Sequence, residues 1–304
     1  MKRGRAFREE DLAKFAPFLP SEKPFHYRSR ITLQARPQGG TYELGYFRRE
    51  SHDFVAIPDC VIADEALVPF AREHVALQVS KSQKVRERFQ VAKDTAGKLS
   101  IGGAFTQVNH GQNQVMQKLV ADYVVAHMLE KRQILHWHVL DLYSGNGNLT
   151  FPIIEAMRAG RPQGVVEATG VEMSSESVAA AVKNPRAQQC TFLNESVDQW
   201  LARQKAGAVS LLSKKGLPLD ELLILDPPRE GVGQAVMPLI ARRKPSLIVY
   251  VSCDPATLAR DLVRFNEAVE KQKTKYEIVE ARGLDMFPQT DHIEAIVVLR
   301  RKTS

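Results

Sequence analysis

Residues 26–56 alternate between apolar and polar positions with the period of a β-strand. The alternation is clearest in residues 31–35 and 42–46. A period of two predicts antiparallel strands with one buried face and one solvated, arginine-rich face. Residues 61–80 then have helical spacing, and residues 85–103 return to short strands. The first third of the sequence is therefore expected to form a small, mostly-β domain.

From residue 104 onward, apolar runs alternate with helical segments. A helix is predicted over residues 115–129, five strand–helix pairs follow it, and two extended segments come last. This pattern predicts an α/β fold, in which a mostly parallel sheet carries helices on both faces. Ligands of such sheets bind at the carboxyl ends of the strands. Four predicted strands bring their last residues to that edge: Tyr143, Glu172, Asp226 and Cys253.

The charge of the chain points to a polyanionic partner. The sequence has 42 Lys and Arg against 35 Asp and Glu, a net charge of +7, and residues 1–50 contribute +5 of it (11 basic and 6 acidic side chains). Nucleic acid is the first candidate, and a solvated basic surface without a partner is the alternative. Arginines interleaved with aromatic residues in the first predicted strands suit phosphate contacts and base stacking. They are Arg28, Arg30, Arg36, Arg48 and Arg49, with Tyr27, Tyr42, Tyr46 and Phe47.

The cysteines and the apolar runs exclude several classes of protein. Cys60, Cys190 and Cys253 are far apart, so neither a disulfide framework nor a metal site is predicted. The sequence does not begin with a signal peptide, and no run approaches the 18 or so apolar residues of a membrane span. We therefore expect a cytoplasmic protein that does not associate with membranes.

Cys253 occupies a position from which a side chain can do chemistry. The apolar run Ile248–Val251 predicts a buried strand, and the pair Asp254–Pro255 suits the N-cap and first turn of a following helix. Cys253 would then lie at the sheet edge beside backbone amides that favour a thiolate, although Asp254 opposes it. The sequence leaves two interpretations open, a nucleophile and a small buried apolar side chain.

The segment Asp141–Asn148 follows the first strand of the α/β pattern and precedes a helix. Gly145 and Gly147 allow the backbone to approach a ligand closely, and Glu172 ends the next strand, where it can accept hydrogen bonds from ribose hydroxyls. The third glycine of a dinucleotide loop is absent, because Thr150 stands in its place. A nucleoside cofactor is favoured over a plain turn, and S-adenosylmethionine over NAD.

Two further carboxylates are candidates for catalysis. Asp226 ends a strand and is fixed by Pro227 and Pro228, although a turn-forming role is the alternative. Glu294 begins an otherwise apolar strand, where a carboxylate is unfavourable unless it has a partner or lines a cleft.

Five motifs in order resemble the S-adenosylmethionine-dependent RNA 5-methyluridine methyltransferases, the tRNA and rRNA uracil-5 methyltransferases, and most closely the branch that acts on 23S rRNA. The resemblance extends from about His26 to Arg300. Its specific parts are Phe105–Asn109, Asp141–Asn148, Leu225–Arg229, Val249–Asp261, and Leu284–Pro288 with His292–Glu294.

The resemblance implies a Rossmann-like class I methyltransferase sheet over residues 104–304 and a basic, RNA-contacting domain over residues 1–103. Cys253 would attack C6 of uracil, Glu294 would take the C5 proton, and Asp226 would contact the base. The substrate would be an RNA loop with a flipped uridine, and no obligatory protein partner is predicted. The residues that match cofactor-binding positions are Gln107, Tyr143, Gly145, Asn148, Glu172, Ser196 and Asp226.

The sequence departs from the family pattern in its N-terminal part. Many relatives hold an iron–sulfur cluster with four cysteines, but here Cys60 alone matches, so no iron–sulfur cluster is expected. The part before residue 104 is also short for the family. Two alternative functions remain: a catalytically silent RNA-binding protein, and an amino-group methyltransferase that uses the Asp226-Pro-Pro loop, in which Arg229 replaces the expected aromatic residue.

Overall fold

The computed structural model describes residues 6–79, 87–102, 107–204 and 219–302. The chain forms two compact units. The large unit contains residues 1–20, 114–285 and 292–304, and the small unit contains residues 21–113 and 286–291.

This division differs from the predicted domains, 1–103 and 104–304. Residues 1–20 belong to the large unit, and residues 104–113 belong to the small one. The RNA-contacting role of the first hundred residues stays a prediction.

The small unit is an antiparallel sheet covered by one helix in the part of it that is described. The strand order is β3-β2-β1-β4-β5, and helix α1 packs on the apolar face. The elements are β1 (Arg30–Gln38), β2 (Thr41–Phe47), β3 (Phe54–Ala56), α1 (Leu67–Val79), β4 (Glu87–Lys93) and β5 (Leu99–Ile101). Alternate residues of β1, from Ile31 to Ala35, are buried against α1, as the period of two predicts.

The three tyrosines that the sequence suggested for base stacking are buried to different extents in the small unit. Tyr27 is buried, and its hydroxyl donates to the backbone oxygen of Pro288 at 3.0 Å. Tyr42 and Tyr46 pack against the apolar core, because they alternate in β2 on the same face as the buried Leu44. The prediction of base stacking is therefore wrong for Tyr27, and it stays a prediction for Tyr42, Tyr46 and Phe47, which are partly exposed.

The large unit contains a seven-stranded mixed sheet in its described part, with the order β11-β12-β10-β9-β6-β7-β8. Its strands are β6 (His136–Leu142), β7 (Val165–Glu172), β8 (Cys190–Asn194), β9 (Leu219–Leu225), β10 (Leu247–Ser252), β11 (Tyr276–Leu284) and β12 (Glu294–Arg301). Its helices are a 3₁₀ helix (Glu9–Lys14), α2 (His110–Glu130, whose first residues belong to the small unit), α3 (Thr150–Gly160), α4 (Ser175–Lys183), α5 (Val197–Arg203), α6 (Val236–Arg243) and α7 (Pro255–Lys271).

The register of this sheet brings the predicted strand ends to one edge. Strands β10, β9, β6, β7 and β8 are parallel neighbours, so their carboxyl ends lie together. Strand β12 is antiparallel to β10, and Ser252 pairs with Ala295. The first residue of β12, Glu294, therefore lies at the same edge as the last residues of the parallel strands.

A segment near the start of the chain extends this sheet beyond β11. Phe15 and Leu19 form parallel bridges with Ala281 and Leu284. The amides of Ala16 and Leu19 donate to backbone oxygens of β11 at 2.9 Å, and the amide of Asp285 donates to the Leu19 oxygen at 2.9 Å. This pairing explains why residues 1–20 belong to the large unit.

None of the helices in the described part of the chain is both long and apolar enough to cross a membrane.

Candidate active site

Cys253 lies at the junction between β10 and α7. Ser252 ends the buried strand, and Asp254 caps the helix by accepting hydrogen bonds from the amides of Ala256 and Thr257 at 2.8 and 3.0 Å. Pro255 occupies the first turn, where its missing N–H has no cost. The predicted strand–turn–helix is confirmed, and it leaves the Cys253 thiol half-buried at the sheet edge.

Two carboxylates and one guanidinium act electrostatically on this thiol. Burial is the main cause that raises the pKa of Cys253, the charges of Glu294 and Asp226 raise it further, and the charge of Arg229 opposes them. Glu294 is only 5% exposed. Burial, followed by the charge of Asp226, raises its pKa well above the ordinary value for a glutamate. The structure thus brings together the three residues predicted to be catalytic, although their roles stay predictions.

Arg229 is held at this edge by His292. An Nη2 atom of Arg229 lies 2.5 Å from Nδ1 and 2.9 Å from Nε2 of the His292 ring. Arg229 follows the two prolines after Asp226, and His292 precedes the start of β12 by two residues. The pair therefore joins the loop after β9 to the loop before β12 beside the thiol.

The backbone of the loop after β9 is anchored by Asp261 of α7, a residue to which the sequence assigned no role. Its buried carboxylate accepts hydrogen bonds from the Val232 amide at 2.9 Å and from the Tyr250 hydroxyl at 2.8 Å. Arg260 and Arg264 donate to its other oxygen at 3.0 Å. This network fixes the loop that carries Arg229. The sequence shows an aspartate within the predicted helix that follows Cys253. It does not show the partners of this residue, because they come from distant segments.

The loop after β6 has a backbone conformation that lets a ligand approach it closely. Tyr143, Gly145 and Gly147 have positive φ angles of 66°, 54° and 87°. A β-carbon on Gly147 would lie 2.3 Å from the ring of Phe151, so this position requires glycine. A β-carbon on Gly145 would meet nothing within 4 Å, and the loop is therefore open on that side.

Glu172 ties this loop to the end of β7. Its Oε2 accepts a hydrogen bond from the Gly145 amide at 3.1 Å, and its Oε1 accepts one from the Ser174 amide at 2.7 Å. Each carboxylate oxygen has a second lone pair, so Glu172 retains capacity to accept bonds from a ribose diol.

The other predicted cofactor-binding residues have structural partners of their own. The side-chain oxygen of Asn148 accepts a bond from Gln117 at 2.8 Å. Ser196 is the N-cap of α5 and accepts from the Gln199 amide at 3.3 Å. Gln107 belongs to the small unit, so its role toward the cofactor or the base stays a prediction.

Asp141, the last but one residue of β6, is a site residue for which the sequence suggested no role. It is 1% exposed, and Thr150 Oγ1 donates to its Oδ2 at 2.5 Å. Its Oδ1 and the buried hydroxyl of Ser144 have no hydrogen-bond partner among the described residues. Burial and the charges of Asp226 and Glu172 raise the pKa of Asp141 to about 7. A carboxylate inside an apolar strand was the signal that could have revealed it.

These residues fit S-adenosylmethionine. Its sulfonium group is cationic, and Asp141, Glu172 and Asp226 bring three carboxylates close enough for their charges to interact. The unpartnered Asp141 Oδ1 and Ser144 hydroxyl can bind polar groups of a ligand, and the open side of Gly145 leaves room for one. The described residues include no group of three or more His, Cys, Asp or Glu side chains that could hold a metal ion.

Comparison with known proteins identifies the family. A sequence model described as tRNA (Uracil-5-)-methyltransferase matches residues 67–302, well over half of the chain. The chain belongs to this family. The predicted enzyme class, an S-adenosylmethionine-dependent RNA (uracil-5-)-methyltransferase, is thereby confirmed, and so is the predicted methyl donor.

Two curated relatives of this methyltransferase family match almost the whole chain. An uncharacterized RNA methyltransferase of Bdellovibrio bacteriovorus is 32% identical over 294 residues, which cover 94% of this chain and 68% of that protein. The 23S rRNA (uracil(1939)-C(5))-methyltransferase RlmD of Idiomarina loihiensis is 29% identical over 365 residues, which cover 96% of this chain and 76% of that protein.

A solved structure supports the fold of the family. The tRNA (uracil-54, C5)-methyltransferase of Pyrococcus abyssi, in complex with S-adenosyl-L-homocysteine, superposes with a TM-score of 0.63 at 20% identity. The superposition covers 93% of this chain and 78% of that one. The predicted Rossmann-like class I methyltransferase sheet is therefore confirmed.

Proposed function

We propose that this protein methylates C5 of one uridine in structured ribosomal or transfer RNA, through a covalent bond between Cys253 and C6 of the base. The observation that carries the proposal is the position of a half-buried thiol beside the buried carboxylate of Glu294 at the sheet edge. A uridine in a loop or an opened helix can be flipped into such a site. Access to this RNA implies a cytoplasmic location.

The chemistry gives Cys253 and Glu294 successive tasks. The Cys253 thiolate forms a bond to C6, and the electrons of the C5–C6 double bond move to the O4 enolate, which makes C5 nucleophilic. S-adenosylmethionine, when bound, would supply the methyl group to which C5 forms a bond, and its sulfonium sulfur would keep the electrons of the broken bond as a neutral thioether. Glu294 then takes the proton from C5, the double bond re-forms, and the bond between Cys253 and C6 breaks. In this proposal Asp226 contacts the edge of the pyrimidine.

The environment of the thiol implies that the reaction accelerates as the pH rises. The raised pKa keeps Cys253 largely protonated at neutral pH, whereas the first step requires the thiolate. The raised pKa of Glu294 acts in the same direction, because this residue must be ionised to accept the C5 proton.

The covalent step is tested with RNA that contains 5-fluorouridine, in which C5 carries fluorine and no proton can be removed there. Incubated with S-adenosylmethionine, the wild-type protein should form a methylated adduct that survives denaturing electrophoresis. Cys253→Ala should form none, whereas the matched control Cys190→Ala, which changes the half-buried thiol of β8, should form as much as wild type. An adduct that persists in Cys253→Ala would exclude this nucleophile, and absence of an adduct in the wild type would favour a silent scaffold or an amino-group methyltransferase.

Glu294→Gln tests the second task separately. With ordinary uridine-containing RNA, this variant should accumulate a methylated covalent adduct, because the C5 proton is not removed. Methylated RNA released at the wild-type rate would show that another group takes the proton.

A further inference from the structure

Strand β10, which ends just before Cys253, lies between β9 and β12 in the sheet of the large unit. Leu225, the last residue of β9, pairs with Tyr250 of β10. On the other side, Ser252 pairs with Ala295 of β12. The segment that follows β9 and the segment that precedes β12 therefore flank the end of β10 from its two sides, and Cys253 lies between them.

The side chains of Arg229 and His292 join these two flanking segments. Arg229 belongs to the segment that follows β9, and His292 belongs to the segment that precedes β12. An Nη2 atom of Arg229 lies 2.5 Å from Nδ1 and 2.9 Å from Nε2 of the imidazole ring. Because the two residues come from strands on opposite sides of β10, their contact crosses the end of that strand, beside Cys253.

The backbone that carries Arg229 is fixed, but its side chain needs a contact of its own. Two prolines restrict the chain before it. The Gly231 amide donates to the Pro228 oxygen at 2.8 Å, and the Glu230 oxygen accepts a bond from Arg260 Nη2 at 2.7 Å. The Arg229 side chain itself is long and exposed. Such a side chain samples many rotamers unless a partner holds its end, and His292 is in place to do so.

The guanidinium has a use at this position because the surroundings of Cys253 disfavour a thiolate. Burial and the charges of Glu294 and Asp226 raise the pKa of Cys253, and the positive charge of Arg229 lowers it. The Asp254 carboxylate, next along the chain, accepts hydrogen bonds from amides of α7. Among the described residues whose charges act on this thiol, Arg229 supplies the positive one.

We propose that the Arg229 guanidinium stabilises the Cys253 thiolate that attacks uracil, and that His292 is a positioning residue that holds this guanidinium over the end of β10. The inference rests on the proposed function and deepens it. A guanidinium has donors but no acceptor, so a nitrogen of the imidazole ring accepts the hydrogen bond. Arginine stays charged in proteins, and a positive charge next to a sulfur favours its thiolate form.

Alkylation of Cys253 by iodoacetamide tests the inference without RNA or S-adenosylmethionine. The reagent reacts with the thiolate, so the rate measured against pH reports how much of the thiol is ionised. Mass spectrometry of the peptide that contains Cys253 separates its reaction from those of the half-buried Cys60 and Cys190. Arg229→Gln should move the midpoint of the profile to higher pH and lower the rate at neutral pH about three-fold or more.

Variants of His292 test the positioning role. His292→Ala should move the midpoint in the same direction by a smaller amount. His292→Asn, whose side-chain oxygen can replace Nδ1 as the acceptor, should stay close to wild type. The double variant Arg229→Gln/His292→Ala should match Arg229→Gln alone, because the ring then has no guanidinium to hold. A further shift in the double variant would show that His292 acts independently and would overturn its positioning role.

The control is Arg132→Gln, which removes an exposed arginine between α2 and β6, at the edge of the sheet opposite Cys253. It should alkylate like wild type, and thermal melting of each variant checks that it folds. An unchanged midpoint in Arg229→Gln would overturn the inference. A faster plateau rate with the same midpoint would overturn it as well, because the side chain would then only shield the thiol.

The adduct with 5-fluorouridine RNA separates this inference from the proposed function. If both hold, Arg229→Gln should form the adduct more slowly than wild type at saturating RNA, and the difference should shrink as the pH rises. If Arg229→Gln changes only the RNA concentration for the half-maximal rate, this inference alone fails, and the guanidinium contacts the RNA. If the alkylation midpoint shifts but the wild type forms no adduct, only the covalent mechanism fails.

Discussion

The buried carboxyl group of Asp141 lowers the stability of the folded protein when it is ionised. Its pKa is raised to about 7 in the folded protein, whereas an aspartate in an unfolded chain titrates near 4. The folded state therefore binds this proton more tightly than the unfolded state does. Its contribution to stability is fully present below about pH 4, is lost as the pH rises to about 7, and stays lost above that.

Asp141→Asn should consequently stabilise the protein in a pH-dependent manner. At pH 8 we expect a gain in the free energy of unfolding on the order of a few kcal/mol, because each pKa unit is worth about 1.4 kcal/mol. At pH 4 we expect almost no gain. Urea unfolding at the two pH values measures this gain, and the control is Asp122→Asn, which changes an exposed carboxylate. An equal effect at both pH values would show that the carboxylate is not the destabilising feature.

Residue-level chemistry also explains which site residues the sequence could predict. The places of Cys253 and Asp254 could be predicted from the sequence, because the strand, the N-cap residue and the proline that indicate them lie within a few positions of one another. Asp141 was missed because the sequence shows its place in an apolar strand but not the neighbouring groups that give it a role. The contact of Tyr42 and Tyr46 with the apolar core could not be predicted, because tyrosine suits a solvated face and a core face equally well and only the packing of α1 decides between them.

At the scale of elements, a buried ion pair joins α6 to the start of β9. Glu221 is 3% exposed, and its carboxylate accepts bonds from Arg243 Nε at 2.9 Å and Nη2 at 2.5 Å. His138 of β6 lies 3.2 Å from the same carboxylate. The cluster lies at the edge of the sheet opposite the active site, so it can be altered without touching the candidate catalytic residues.

Glu221→Gln should destabilise the protein by about 3–5 kcal/mol, because it leaves the buried guanidinium of Arg243 without its counter-charge. The exposed pair Arg186–Glu155 is the matched control, and Glu155→Gln should cost less than about 1 kcal/mol. The midpoint of urea unfolding measures both. Similar losses for the two variants would indicate that burial does not govern the strength of these pairs.

The order of elements in the large unit was predictable, but their long-range partners were not. Five strand–helix pairs follow from the alternation of apolar runs and helical spacing, and the structure contains five such pairs in the predicted order. The pairing of residues 15–19 with β11 was missed. Its two strands lie at opposite ends of the sequence, and the first has no periodic pattern.

At the scale of the whole molecule, the chain passes twice from the large unit to the small one. The small unit consists of residues 21–113 and the short loop 286–291, where the Met286 oxygen accepts a bond from Asn109 Nδ2 at 3.2 Å. A cut at residue 103 would therefore divide the small unit and would also remove residues 6–20 from the large one.

A variant that lacks residues 1–20 should melt at a lower temperature and aggregate more readily than the full chain. The deletion uncovers backbone oxygens of Ala281 and Gly283 along β11, and exposed strand edges pair with other chains. Differential scanning calorimetry and light scattering measure the two effects. Unchanged melting and scattering would mean that this segment contributes little to the sheet.

The same pairing has a consequence for biosynthesis. Residues 15–19 are translated long before the strand that receives them, Tyr276–Leu284. Until that strand has been translated, the apolar side chains of residues 15–19 lack the neighbours that they have in the folded protein. Domains generally fold as units during synthesis, but here the large unit can be completed only after Tyr276–Leu284 has been translated. A chaperone that binds residues 15–19 in the meantime would shorten their exposure.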